Sequence, residues 1–321
     1  MTVLVFAEQS DTPVDAVVRE LTIRDVPVFR VDTSWFPREL VLEAFLDDAG
    51  RWAGVLRTTH RTVDLGSIRS VWYRDPGAFS FAEGMTEVER AYAYREARLG
   101  LGGVLTSLDV LWVNHPNRSA DAVYKPRQLA IAARCGLTTV PTVITNSPDA
   151  VRRLAAGSPA GVVRKSLGPN TVTEGGQLTV AFTHRLTAAD LADLSGVDAT
   201  ATQAQHWVNK THEARVVVVG ERTFTILIRA GSDVSRVDWR ADYPALSYEW
   251  VDTPPETEKG LRAYLAEMGL TYAAVDFAID ADEHWVFLES NSSGQYFWLE
   301  AHTGAPITAT LADLLAAGAG P

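Results

Sequence analysis

Three oxygen-bearing side chains near the C-terminal end sit where strand packing would place apolar residues. Asp276 interrupts Val275-Asp276-Phe277-Ala278-Ile279, and Glu289 and Asn291 interrupt Phe287-Leu288-Glu289-Ser290-Asn291. An acidic turn separates the two runs. A two-residue turn at Asp282-Glu283 pairs Ala281 with His284, and that register sets Asp276 opposite Glu289. Strand alternation then puts Asn291 on the face of Glu289. Two carboxylates and an amide so arranged are hard oxygen ligands suited to magnesium. Taken singly, each residue also suits a hairpin with one solvated acidic face, and a one-residue slip would turn Asp276 away.

Several cations have spacing that suits phosphate. Lys165 ends the strand-like run Gly161-Val162-Val163-Arg164-Lys165, just before a loop containing Gly168, Pro169, Asn170, Thr171, Gly175 and Gly176. A lysine so placed can aim its ammonium at phosphates beneath the loop, or simply reach solvent. Lys125, on a helical stretch, has the same two readings. The loop lacks Walker spacing, which argues against a P-loop fold. Gln205-His206-Trp207-Val208 reads as a strand becoming a linker, whose backbone can meet an adenine edge between the apolar walls of Trp207 and Val208. Glu213, Arg215 and Arg240 lie beside apolar or aromatic neighbours. Arginine forks suit phosphate and carboxylate, although Glu213 and Arg215 would equally make a structural pair.

The elements that must hold these residues follow an α/β pattern. Thr2 to Ala7 is a buried strand, Pro13 opens a helix capped by Asp11 or Thr12, and Val28 to Val31 returns as a strand. Trp52 to Leu56 and Ser70 to Tyr73 read as further strands, and Glu87 to Leu108 as a helix. The first turn carries no glycine, which argues against a dinucleotide-binding unit and nicotinamide chemistry. Ser119 or Asp121 is expected to cap a helix carrying Lys125 and Gln128 and ending at Cys135-Gly136. Thr139 to Asn146 is extended, and a short helix runs from Ser147-Pro148-Asp149 to Ala156. Glu213 to Val219 and Arg222 to Arg229 form a hairpin turning at Gly220-Glu221. A helix spans Pro255 to Met268, and a last one Leu311 to Ala316.

At 321 residues there is room for two or three packed domains. The charge of −11 argues against nonspecific binding to nucleic acid or an anionic membrane. The single Cys135 excludes an intrachain disulfide framework and is read as packing. Met1 to Ala7 is too short for a signal core, and no run has bilayer-spanning length, so a cytoplasmic protein is expected.

In motif order the chain resembles the ATP-grasp superfamily over roughly residues 114–310. Within it, the chain looks most like the graspetide (microviridin-type) peptide ligases. Trp72-Tyr73-Arg74-Asp75-Pro76, Asn114-His115-Pro116, Asp238-Trp239-Arg240 and Phe287-Leu288-Glu289-Ser290-Asn291 leading to Gly294-Gln295 carry that likeness. The chain departs from the family pattern at Asp75, at Ser292 after Asn291, and at Glu213-Ala214-Arg215, where Asp-x-Arg is usual.

The resemblance implies an ATP-grasp fold of class α/β (α+β). A Rossmann-like pre-ATP-grasp domain would span 1–115, a small central domain with the glycine loop 116–202, and a C-terminal antiparallel-sheet domain 203–321. It implies an ATP-dependent carboxylate ligase that macrocyclises a ribosomal precursor peptide docked through a leader segment. Asp or Glu side chains would be activated as acyl phosphates and joined to Ser or Thr hydroxyls as esters, or to Lys amines as amides. Asp276, Glu289 and Asn291 would hold Mg2+, Lys125 and Lys165 would contact ATP phosphates, and Gln205 to Val208 the base. Arg215 and Arg240 would stabilise the transferring phosphoryl group. Arg74, Glu213 and Trp239 are candidates for substrate contact, and a homodimer is a family expectation. Two other readings share these residues: a ligase joining a free amino acid or amine to a small carboxylate or protein tail, and a non-catalytic ATP- or peptide-binding module.

Overall fold

The computed structural model of the chain describes residues 1–168, 171–175 and 177–318. In the first strand, Thr2–Ala7, every side chain from Val3 onward is buried, which requires cover on both faces. Val3, Val5 and Ala7 share a core with Val14, Val17 and Leu21 of the helix Thr12–Ile23. Leu4 and Phe6 share another with Leu101, Val104 and Leu105 of the helix Glu87–Thr106. The sheet is parallel, in the order Val28–Val31, Thr2–Ala7, Ile68–Arg74, Leu111–Val113. Asp11 caps the first helix, accepting from the Val14 N–H at 3.2 Å. A Thr86–Glu89 capping box opens the second, which stops two residues short of the expected Leu108. A meander of Val41–Leu46, Trp52–Arg57 and Thr62–Asp64 adds Leu56 and Val63 to the second core. Only its middle strand was legible in the residue pattern.

Six described strands form the C-terminal sheet, in the order Leu246–Val251, Arg222–Ala230, Lys210–Val219, Tyr272–Asp280, Trp285–Asn291, Thr138–Thr139. All neighbours are antiparallel except the last pair. On one face, Val216, Val218, Val275 and Phe277 pack with Ile131 of the helix Lys125–Arg134. Leu261, Tyr264 and Leu265 of the helix Pro255–Met268 join them. The other face divides along its length. Its far end, with Val217, Val219, Tyr272 and Ala274, packs with Leu311 and Leu315 of the helix Ile307–Ala317, in the core that also holds Val3 and Val5. Its near end carries Glu213, Arg215 and Asp276 instead and looks onto a cleft.

Across that cleft stands a central antiparallel sheet, in the order His184–Arg185, Val162–Lys165, Thr202–His206, Thr142–Thr145. The stretch expected to be a glycine loop contains the paired strands Thr171–Glu174 and Gln177–Val180. Three β-branched residues, Thr171, Val172 and Thr173, favour that extended backbone. Pro169, Asn170 and Gly176 of that loop lie outside the described residues.

The helix carrying Lys125 also differs from expectation. Two helices occur, Pro116–Ala122 and Lys125–Arg134, each with a proline in its first turn. Ser119 and Asp121 lie inside the first helix, whose cap is His115. No side chain caps the second. Among the described residues no helix is long and apolar enough to cross a membrane.

Candidate active site

The register of the Asp276 hairpin is reached by a route that the sequence alone does not show. Asp280 pairs with His284 around three residues, not two, and Glu283 adopts a left-handed φ of 61°. Asp282-Glu283 lacks the Asn-Gly chemistry of a tight two-residue turn, and the Asp280 carboxylate instead accepts from the Asp282 and His284 N–H groups. Phe277 pairs with Phe287, and a bulge at Leu288 then shifts the ladder by one, so that Asp276 meets Glu289 after all. The bulge turns Leu288 and Glu289 both to the cleft. The expected pairing stands; the expected turn does not.

Asp276 and Arg215 are ladder partners across the neighbouring strand pair. The guanidinium donates Nε to Oδ1 and Nη2 to Oδ2, both at 2.8 Å, and Nη1 to the Gln295 carbonyl at 3.1 Å. Burial works against the Arg215 charge, but Asp276 outweighs it and raises its pKa above the ordinary arginine value. Its guanidinium lies over the Trp239 ring, 5.1 Å from the centroid, and Arg240 stands over the same ring at 5.7 Å. Trp239 is therefore a platform under both arginines, buried against Trp298 and Tyr243.

Glu289 accepts from Lys125 Nζ at 2.8 Å and faces Arg240 Nη1 at 3.6 Å. Burial alone would raise its carboxyl, yet Lys125, Arg240 and Lys165 outweigh that and hold it below the usual range. Lys125 also donates to the Ser166 carbonyl at 2.8 Å, tying the helix to the end of the Lys165 strand. Lys165 lines the cleft, half-buried, and burial pushes its ammonium below the usual lysine range against the pull of Glu289. Asn291 lies two residues beyond Glu289, paired with Ala274, and the cleft lining includes Asp276 and Glu289 but not Asn291.

The linker Gln205-His206-Trp207-Val208 forms one wall. His206 donates its N–H to the Pro141 carbonyl at 3.0 Å, and Pro141 has no N–H to return to the His206 carbonyl. The Gln205 side chain donates to Thr142 Oγ1 at 2.9 Å, while its buried Oε1 has no partner among the described residues. The His206 carbonyl, which Pro141 cannot serve, is left to accept from an exocyclic amine, so the wall fits an adenine edge.

Two cleft residues escaped the sequence reading. Lys210 donates to Glu213 Oε1 at 2.6 Å and to the Val237 carbonyl at 3.1 Å, and its ammonium lies 5.3 Å from the Trp207 ring centroid. A ladder shift between Lys210 and His212 breaks strict alternation there, so counting by twos misplaces it. Burial pushes the Glu213 carboxyl up, and Lys210 offsets part of the shift. Asp238 is the second, holding Arg240 through Nε at 2.8 Å and Nη2 at 3.0 Å. Its place before Trp239-Arg240 was the only signal.

Arg74 is not brought to the cleft. It is 2% exposed and donates to the Ser293 carbonyl and, at 2.6 Å, to Gln295 Oε1. The segment it grips must lie flat on the sheet: a Cβ on Gly294 would fall 2.4 Å from the Ala274 Cβ. Gln295 thus joins Arg74, through its side chain, to Arg215, through its carbonyl.

Residues 2–120 match the model of the MvdD pre-ATP grasp domain family. No curated protein matches the chain in sequence. Among solved structures, it is similar to the macrocyclase MdnC of Microcystis aeruginosa bound with precursor peptide MdnA, at 28% identity and a TM-score of 0.84, covering 98% of this chain and 99% of that one. It is similar also to a RiPP-associated ATP-grasp ligase of Chryseobacterium gregarium in complex with ADP and a leader and core peptide. That match has 26% identity and a TM-score of 0.88, covering 98% and 96%. The macrocyclase MdnB of Microcystis aeruginosa matches at 26% identity and a TM-score of 0.79, covering 98% of each chain.

Proposed function

We propose, from the premise that this chain is an ATP-grasp protein of the graspetide-maturase type, that it uses ATP to close rings in a ribosomally made precursor peptide. One observation carries the reading: one cleft is lined by the Gln205–Val208 wall, by Lys165, Lys210 and Arg240, and by the ladder-paired carboxylates Asp276 and Glu289, within a fold shared with peptide macrocyclases.

In this reading, a substrate Asp or Glu carboxylate oxygen attacks the γ-phosphorus of ATP, and ADP leaves. A Ser or Thr hydroxyl, or a Lys amine, then attacks the acyl carbon and phosphate departs, so each bond forms with net loss of one water. Gln205 to Val208 hold the base, with the His206 carbonyl accepting from its amine. Lys125 and Lys165 meet the phosphate oxygens. Arg215 and Arg240, fixed over Trp239, face the charge that builds up on the transferring phosphoryl group. Asp276, Glu289 and Asn291 would hold Mg2+, which would supply charge neutralisation during phosphoryl transfer. Lys125 Nζ, 2.8 Å from Glu289, stands beside the carboxylate that would hold the metal and is placed to meet phosphate. Confining both side chains of one peptide beside the cleft raises their effective concentration, and excluding water protects the acyl phosphate.

The test is mass spectrometry of candidate precursor peptides incubated with the protein, ATP and Mg2+. Loss of one water mass per bond, absent with Glu289→Ala, supports ring closure. Fragmentation and mild alkaline hydrolysis then separate esters from amides. Unchanged peptides beside ATP turnover on small carboxylates and amines would replace the peptide reading with an intermolecular ligase.

A further inference from the structure

Asp238 belongs to none of the assigned roles, yet its carboxylate is the most fully occupied in the cleft. It is 4% exposed and accepts four donors. Oδ1 takes the Arg240 backbone N–H at 3.2 Å and Arg240 Nε at 2.8 Å. Oδ2 takes Arg240 Nη2 at 3.0 Å and the Thr183 backbone N–H at 3.0 Å. Two carboxylate oxygens offer about four acceptor sites, so this set fills them. Thr183 comes from the other side of the cleft, in the segment between the strand Gln177–Val180 and the strand His184–Arg185 of the central sheet.

We propose that Asp238 is a positioning residue that couples the seating of the central sheet's Thr183 segment to the orientation of Arg240. A bidentate pair fixes the plane of the guanidinium to the plane of the carboxylate. With Nε and Nη2 held by Asp238, Nη1 is the nitrogen left to face Glu289, at 3.6 Å, and the phosphoryl position beside it. The carboxylate plane is in turn pinned from across the cleft by the Thr183 N–H. Seating Thr183 therefore aims Arg240, and by reciprocity a well-aimed Arg240 favours the seated segment. Burial would raise the Asp238 carboxyl, but its bonds to Arg240 outweigh that and hold it ionised, as the coupling requires.

This inference rests on the ATP reading above, and the experiment keeps the two apart. Affinities for ADP and for the non-hydrolysable analogue AMP-PNP, each with Mg2+, are measured on the full chain. The ratio of the two isolates what the γ-phosphoryl group adds. Asp238→Asn is expected to leave ADP affinity within about threefold and to cut the AMP-PNP advantage at least about tenfold. Thr183→Pro, which deletes the N–H, should reproduce that loss, while Thr183→Ala, which keeps it, should not. Hydrogen exchange of residues 181–187 in the AMP-PNP complex gives a readout that needs no proline: Asp238→Asn should speed it at least about tenfold. Unchanged exchange, or a lost advantage in Asp238→Asn that Thr183→Pro in a folded protein does not share, overturns the coupling. A wild-type chain that binds neither nucleotide overturns the ATP reading itself.

Discussion

Arg215 and Asp276 face each other as partners on adjacent antiparallel strands, and both carboxylate oxygens accept from the guanidinium at 2.8 Å. The pair joins a proposed metal ligand to a proposed phosphoryl-side cation inside a nearly dry setting, each side chain 7% exposed. Two buried charges gain little net stability over apolar residues, because desolvation offsets their attraction. Such a pair is better explained by what it positions than by what it stabilises.

Breaking the pair from one side should be costly, since it leaves a buried charge unmatched. Arg215→Ala is expected to lose about 3–5 kcal/mol of stability. Arg215→Met combined with Asp276→Leu should lose much less while abolishing turnover. Urea unfolding of the three proteins checks this; equal losses in the single and double variants would remove the ion pair from the account.

Glu289→Gln keeps the shape of the side chain and halves its capacity for cations. The Mg2+ concentration for half-maximal ATP turnover should rise at least about tenfold, the range typical of a weakened metal shell. An unshifted magnesium curve would take Glu289 out of the metal site.

Lys165 sets an alkaline limit. Its folded pKa is lowered by burial, so the charged form carries a stability penalty that is full below the folded value and gone above the ordinary lysine value. Phosphate binding needs the charged form, so ADP affinity should begin to fall below the ordinary lysine range of about 10.4. Lys165→Arg should move that fall to higher pH. A binding profile flat up to that range, or identical in Lys165→Arg, counts against the lysine as a phosphate contact.

Arg74 is expected to behave as a strut. Arg74→Ala removes charge-assisted bonds to the Ser293–Gln295 segment, each worth about 1.5–3 kcal/mol, and should lower the unfolding midpoint clearly. ADP affinity should stay within about threefold. A large loss of peptide turnover with no loss of stability would instead restore Arg74 as a substrate contact.

Local order was legible wherever the backbone period could be counted. The run Glu213 to Val219, ended by Gly220-Glu221, marked a strand, and Pro255 to Met268 marked a helix within its observed bounds. Short elements were not legible. Val41–Leu46 and Thr62–Asp64 bury few residues, so their pattern carries little signal, and Thr138–Thr139 exists only because Trp285–Asn291 offers it an edge.

That Asp276, Glu289, Arg215, Arg240 and the two lysines carry charge within or beside apolar runs is evident from the chain read residue by residue. That is a matter of residue type and near-neighbour spacing. Tertiary structure alone decided which of them meet. The bulge at Leu288 put Asp276 opposite Glu289 despite a three-residue turn, and the shift after Lys210 brought that lysine to Glu213. Burial sent Arg74 to Gln295 rather than to the cleft. Each outcome depends on a contact between residues far apart in sequence. Its free energy comes from desolvation and from geometry that exists only once the sheets have packed.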